Sequence, residues 1–146
     1  MNVREWQSLR CAVHEEFYND LVNTAGCGAF DGGCLVVAEA LQQVIGGEIV
    51  VLVREDGTAD HAAVLFEGKL WDYYGPMLPT QFISHFNRTE ATHTPWLSVG
   101  YRAIREGDLE CAYRDENLTG RLAMKFELML SKQDNQDVFQ ASPSFG

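Results

Sequence analysis

Three residues of types that do covalent chemistry can be placed near one another from the sequence, namely Cys34, His61 and Asp72. Cys34 follows a glycine pair and begins the apolar stretch "CLVVAEALQQVI", which predicts a buried helix starting at the cysteine. The positive end of the helix dipole and the unpaired N–H groups of the first turn favour a thiolate. The same N–H groups can hold the oxyanion that develops during acyl transfer. The position therefore indicates a nucleophilic cysteine.

The glycine pair before the cysteine, Gly32 and Gly33, predicts an open approach to the sulfur. Neither residue carries a Cβ atom, so we expect a substrate carbonyl to reach Cys34 over them.

A predicted hairpin, "HAAVLFEGKLWD", supplies the other two groups. If Glu67-Gly68 forms a two-residue turn, Phe66 pairs with Lys69, and the pairing continues to Ala63 opposite Asp72. His61 then lies on the same face as Asp72, as a diagonal neighbour whose side chain can reach it. A turn one residue longer would place the two on opposite faces. With this register, the carboxylate binds one ring nitrogen and directs the other towards Cys34, as in a catalytic triad.

This order of residues resembles the papain-like cysteine hydrolases, which include the NlpC/P60 and transglutaminase-like enzymes. The small bacterial papain-fold toxin and effector domains are the most similar form. The segments "DGGCLVVAEAL" and "HAAVLFEGKLWD", with the Tyr-Tyr-Gly that follows, carry the resemblance. The chain lacks the "QGxCGSCW" signature of papain itself.

The resemblance implies Cys34 as nucleophile, His61 as base and Asp72 as the residue that orients His61, acting on amide, thioester or ester carbonyls of a protein or peptide substrate. It implies neither a metal nor a cofactor. The family's glutamine that donates to the oxyanion is missing before Cys34, so Asn23 or a main-chain N–H would have to serve. The aromatic residue Trp71 is a candidate for the wall of a substrate groove.

Other interpretations of the same residues remain open at this stage. Cys34 can be a buried structural thiol, and His61 a core histidine. Cys27 can be a resolving thiol for a redox switch. A zinc site built from Cys27, Cys34, His61 and Asp72 is conceivable, although the short paired spacings of structural zinc are missing. A papain-fold protein that binds a partner without catalysis, such as an inhibitor or effector, is the main alternative to an enzyme.

The elements that must position these residues follow an α+β order, with helices first and strands later. We predict one amphipathic helix over 3–22, a glycine-rich loop, the helix from Cys34 to about Ile45, and strands over 48–54, 61–67 and 69–74. Pro76 and Pro79 are expected to end the sheet, before a short helix over 79–88. A strand over 95–104 and a helix over 114–133 complete the expected fold. It is a papain-like arrangement in which the cysteine helix packs on a small antiparallel sheet, with one domain over 1–133 and a loosely held tail over 134–146.

The composition excludes some classes of function. The chain has 21 acidic and 11 basic residues, a net charge of −10, which argues against nucleic-acid binding and adhesion to anionic membranes. No apolar run is long enough to cross a bilayer, and the N-terminus lacks the apolar core of a signal peptide. The four cysteines show no CxxC spacing and are expected to be free thiols in a cytoplasmic protein, with export without a cleaved signal peptide as the alternative.

Overall fold

The structure, a computed structural model, describes residues 1–90 and 96–141, with side chains described up to residue 133. The helices are α1 (Val3–Arg10), α2 (His14–Ala25), α3 (Cys34–Ile45), α4 (Pro79–Thr89) and α5 (Glu116–Ala141). The strands are β1 (Glu48–Arg54), β2 (Ala59–Phe66), β3 (Lys69–Asp72), β4 (Gly75–Met77) and β5 (Ser98–Ala103). The predicted α+β class is confirmed.

The five strands form one antiparallel sheet with the order β4-β3-β2-β1-β5. The central strand β1 is buried at Val50, Val51 and Leu52, as its continuous β-branched run predicts.

Two hydrophobic clusters cover the sheet. The larger one joins α1, α2, α3 and α5 to β2 and β3, and the cysteine helix α3 lies within it. The smaller one packs α4 on the sheet through Phe82 and Phe86, which meet Val50, Leu52, Ala63 and Leu70. Because side chains alternate along a strand, the neighbours Ala62 and Ala63 belong to different clusters.

The prediction of one helix over 3–22 is wrong, because the chain bends at residues 11–13 and forms two helices. The predicted apolar stripe is nevertheless buried (Trp6, Leu9, Val13, Phe17 and Leu21). The bend wraps both helices around Tyr73. Trp6 Nε1 and Arg10 Nη1 donate to its carbonyl oxygen, at 2.9 and 3.0 Å, and His14 Nδ1 lies 2.6 Å from its hydroxyl. These long-range contacts account for the break between α1 and α2, since no glycine or proline occurs at residues 11–13.

Pro76 does not end the sheet, contrary to our prediction. After a two-residue turn at Tyr73 and Tyr74, Pro76 lies in the edge strand β4 and pairs with Trp71. An edge strand tolerates proline because the main-chain N–H groups on its outer side bind no neighbouring strand. A missing N–H on that side therefore costs no hydrogen bond of the sheet. Pro79 occupies the first turn of α4, as expected.

The last helix is longer than predicted and continues to Ala141, so part of the segment expected to be a loose tail has helical backbone. The remainder of that tail, 142–146, lies outside the described residues, as does the start of the predicted strand at residue 95. Within the described ranges, none of the helices combines the length and the apolar character that crossing a membrane requires.

Candidate active site

The hairpin of β2 and β3 has the predicted register. Phe66 pairs with Lys69 and Val64 with Trp71, so the next pair inward is Ala63 and Asp72. Glu67 and Gly68 form the turn with φ values of 51° and 76°. Positive φ at both central residues is the geometry of a type I′ turn, which matches the twist of the strands and fixes the register.

The hairpin brings His61 and Asp72 into direct contact. His61 Nε2 lies 2.9 Å from Asp72 Oδ2. The other carboxylate oxygen accepts a 2.8 Å hydrogen bond from the main-chain N–H of Tyr74. Asp72 is therefore held from two sides and fixes the orientation of the imidazole.

Aromatic rings enclose the imidazole of His61, which is 1% exposed. The ring centroids of Phe86 and Phe30 lie 4.9 and 5.6 Å from that of His61. Water is therefore kept from the ring. Its second nitrogen, Nδ1, is buried and has no hydrogen-bond partner among the described residues.

Cys34 begins α3, as predicted, and it lies next to His61 and the main-chain N–H of Ala62. Burial by itself would raise the pKa of the Cys34 thiol. The interaction with His61, together with the N–H groups of Ala62 and Leu35, outweighs burial and lowers that pKa. Hydrogen bonding and charge attraction between the His61 ring and the thiol both contribute to this lowering, although the contact between Nδ1 and the sulfur does not have the geometry of an ordinary hydrogen bond.

The histidine responds in the opposite direction. Burial would lower the pKa of His61, but the Asp72 carboxylate and the Cys34 thiolate outweigh it and raise the pKa. A lowered cysteine pKa and a raised histidine pKa favour the same state, in which thiolate and imidazolium face each other. The two groups therefore titrate as a coupled pair.

The N-terminus of α3 leaves donors near the sulfur. Gly33 is the N-cap residue and provides no side chain to cap the helix. The first N–H groups of a helix have no partner within it, so those of the first turn of α3 point towards the region of the sulfur, and the N–H of Leu35 already interacts with the thiol.

The close contacts of Gly33 lie within the glycine loop. Its N–H donates to Gly28 O at 2.9 Å, and a Cβ atom at Gly33 would lie 2.6 Å from that same oxygen. The structure thus gives Gly33 a packing role within the loop, and Gly33 is not among the described residues that line the groove. Gly32 does line the groove described next, and its φ of 130° is a conformation that residues with side chains rarely adopt.

A groove open to solvent runs past Cys34, with an empty volume of about 910 Å³. One wall comes from the loop before α3, through Phe30, Asp31 and Gly32. Ala59 and Asp60 at the start of β2 form part of the rim. The opposite wall is the segment between β5 and α5, with Gly107, Leu109, Glu110, Cys111 and Ala112.

The sequence did not single out this second wall. The segment has neither helical nor strand periodicity, and only its glycine and acidic residues mark it as a loop. A hydrogen bond of 3.0 Å from Tyr113 N to Gly32 O fastens its end to the glycine loop. That contact joins residues distant in sequence, so no local pattern reveals it.

Two candidate substrate-binding residues lie away from the groove. Asn23 is exposed in the last turn of α2, which extends to Ala25 and includes residues expected in the loop. Trp71 is buried against Trp6 and donates to Phe66 O at 3.2 Å. The structure therefore brings neither side chain to the groove.

All four cysteines are free thiols. Cys11 and Cys111 are exposed, whereas Cys34 is buried. Burial, with Asp31 and Cys34 nearby, raises the pKa of Cys27, so Cys34 is the better candidate for a thiolate. In the described part of the chain, no three histidine, cysteine or acidic side chains form a group suited to a metal ion.

Comparison with known proteins adds no further constraint on the site: no family model matches the chain, and neither the characterised proteins nor the solved structures gave a significant match.

Proposed function

We propose that the protein is a cysteine-dependent acyl hydrolase of papain-like type, acting on an amide, thioester or ester carbonyl of a protein or peptide. Cys34 is the nucleophile, His61 the general base and acid, and Asp72 the residue that positions His61. The observation that carries the proposal is the state of the His61 ring. One nitrogen is bound to Asp72, and the other is buried without a hydrogen-bond partner beside the Cys34 thiol.

A buried ring nitrogen without any interaction would destabilise the fold by about 1–3 kcal/mol. The group that Nδ1 faces here is the Cys34 thiol, which interacts with it, and no hydrogen bond of ordinary geometry occupies that nitrogen. A structural histidine in this position would be expected to have both nitrogens satisfied. A ring that must accept and return a proton needs one nitrogen unoccupied.

Acylation would begin with attack of the Cys34 thiolate on the carbonyl carbon. The carbonyl electron pair moves to oxygen, and the free N–H groups of the first turn of α3 stabilise the oxyanion. As the tetrahedral intermediate collapses, the imidazolium of His61 gives its proton to the leaving amine, thiol or alcohol. A thioester on Cys34 and a neutral imidazole remain.

Deacylation reverses the roles. The neutral imidazole takes a proton from water, and the resulting hydroxide attacks the thioester carbonyl. Collapse of the second intermediate releases the carboxylic acid and returns the thiolate beside the imidazolium. Transfer to an amine instead of water needs the same three residues.

Acyl-enzyme trapping with p-nitrophenyl acetate tests the proposal. We expect a rapid release of nitrophenol close to one equivalent, together with one acetyl group on the peptide that contains Cys34. Cys34→Ser should lose the rapid phase, and His61→Ala should slow it about 100-fold or more. Cys11→Ser is the matched control, since Cys11 is an exposed thiol at the end of α1, and it should behave as the wild type. Acetylation spread evenly over the four cysteines would contradict the proposal.

A second candidate is the papain-fold binding protein without catalysis. The observation that favours it is a surface of exposed apolar side chains near the edge strand β5, comprising Trp96, Leu97 and Val99. Under that function, Cys34 would react with acylating reagents no faster than Cys111. The trapping experiment therefore separates the two functions.

A further inference from the structure

The charges along the groove are of one sign. Its lining contains three carboxylates, Asp31, Asp60 and Glu110, and none of the described lining residues is lysine, arginine or histidine. A cleft lined by one sign of charge concentrates ligands of the opposite sign and raises their association rate. The net charge of the chain, −10, acts in the same direction.

Two of the three carboxylates are already engaged. Asp60 accepts from Arg54 Nε at 2.7 Å and from Ser98 Oγ at 3.0 Å. Asp31 accepts from the main-chain N–H of Gly28 within the glycine loop. These contacts hold both side chains in the rim.

Glu110 differs from the other two. It is exposed on the wall opposite the glycine loop, and it forms neither an ion pair nor a hydrogen bond with the described residues. Arg102, on β5, is engaged elsewhere, because both of its terminal nitrogens bind Asp108, at 2.6 and 2.9 Å. Glu110 therefore keeps its charge available for a ligand.

The rest of the lining is apolar. Phe30, Leu109 and Ala112 line the groove together with Cys34 and the carboxylates. A side chain with a long aliphatic stem and a cationic head suits such a mixed lining, since the stem can cover apolar surface while the head contacts carboxylates. Lysine and arginine have this form.

The groove also gives access to the candidate nucleophile. Cys34 is 7% exposed and lines the groove, while the buried Nδ1 of His61 beside it lacks a hydrogen-bond partner. The acidic lining thus surrounds a poised thiol–imidazole pair.

We propose that the acyl substrate is cationic, a peptide with lysine or arginine next to the reacting carbonyl, and that Glu110 is the residue that selects it. This inference rests on the proposed acyl transfer at Cys34. It assigns the substrate class and gives Glu110 a role in specificity.

Three peptidyl acyloxymethyl ketones test it, identical except for lysine, glutamine or glutamate at the residue next to the ketone. The Cys34 thiolate displaces the acyloxy group as a carboxylate and forms a thioether, so labelling needs no turnover. We expect the lysine reagent to label Cys34 about tenfold faster than the glutamate reagent, with glutamine between them. Raising the salt concentration should reduce the ratio.

Variants assign the preference to one side chain. Glu110→Gln should reduce the lysine-to-glutamate ratio about threefold, and Glu110→Lys should bring it to one or below. Glu127→Gln is the matched control, because it removes the same charge from an exposed position on α5 and should leave the ratio unchanged.

The outcomes separate the two proposals. Rapid labelling of Cys34 at equal rates by all three reagents overturns the cationic substrate and leaves the hydrolase standing. A preference for lysine that Glu110→Lys does not alter overturns the role of Glu110. Labelling of Cys34 that is no faster than in His61→Ala, with every reagent, overturns both proposals.

Discussion

His61 and Asp72 are joined by a hydrogen bond of 2.9 Å from opposite arms of one hairpin, while the other nitrogen of the same ring is left unpaired beside Cys34. The type I′ turn at Glu67-Gly68 makes this relationship possible, because it sets which residues of β2 and β3 share a face. The carboxylate therefore decides which ring nitrogen faces the sulfur.

Asp72→Asn should slow the reactions of the Cys34 thiol without abolishing them. The amide has no charge to stabilise the imidazolium, and its NH₂ group can bind Nε2 and leave the proton on Nδ1, where it is of no use as a base. We expect alkylation of Cys34 by iodoacetamide at neutral pH to fall about tenfold or more. Asp56→Asn, in the exposed turn before β2, is the control and should match the wild type. Equal rates for the two variants would exclude an orienting role for Asp72.

The pH dependence of alkylation should reveal the coupled pair. The pKa of Cys34 is lowered and that of His61 is raised, so thiolate and imidazolium coexist through neutral pH. We expect the alkylation rate of Cys34 to rise well below about pH 8.5, the ordinary thiol pKa.

In His61→Ala, burial is the largest remaining influence on the thiol, and it raises the pKa. The midpoint of the rate profile should therefore move above the ordinary value. Rate constants measured from pH 4 to 10, with Cys34 identified by peptide mapping, check this. A midpoint unchanged by the substitution would show that His61 does not interact with the thiol.

Gly33→Ala should destabilise the fold, because the added Cβ atom would lie 2.6 Å from Gly28 O and 3.1 Å from a methyl group of Leu21. Overpacking of this kind costs about 1–3 kcal/mol. Gly120→Ala, in α5, meets no atom within 4 Å and should stabilise the protein by about 0.5–1 kcal/mol. Urea unfolding of both variants measures the difference. The packing explanation for Gly33 fails if its variant is as stable as the wild type.

Asp108→Asn should destabilise the protein through the segment between β5 and α5, and the loss of stability should depend on pH. Arg102 binds both carboxylate oxygens of Asp108, and Arg105 N donates to Oδ2 at 2.8 Å. The hydrogen bonds from Arg102, foremost among these interactions, lower the pKa of Asp108 to about 2. A lowered carboxyl pKa stabilises the fold above its unfolded value of about 3.9, and the contribution is lost as the pH falls towards 2.

We therefore expect Asp108→Asn to reduce the free energy of unfolding by about 1–2 kcal/mol at pH 7 and by progressively less below pH 4. Urea unfolding at pH 7 and pH 3 measures this. Glu127→Gln, which removes a carboxylate from an exposed position on α5, serves as the comparison. A loss of stability as large at pH 3 as at pH 7 would contradict the assigned role of the charge.

Local signals were sufficient wherever neighbours in sequence decide the structure. The glycine pair followed by a continuous apolar run placed the start of α3 at Cys34, and the alternation around Glu67-Gly68 predicted the register that joins His61 to Asp72. The bend between α1 and α2 was missed, because it depends on contacts with Tyr73, more than fifty residues away. The edge position of Pro76 was missed because a short strand paired on one side has no strong sequence pattern.

Periodicity and turn chemistry over a few positions were enough to single out the three candidate residues and the elements that carry them. The tertiary fold set their surroundings. It placed Phe30 and Phe86 against the imidazole, packed Gly33 onto Gly28, and brought Glu110 across the groove from the glycine loop. These relationships form between segments distant along the chain, where burial and close packing, rather than local propensity, decide which side chains meet.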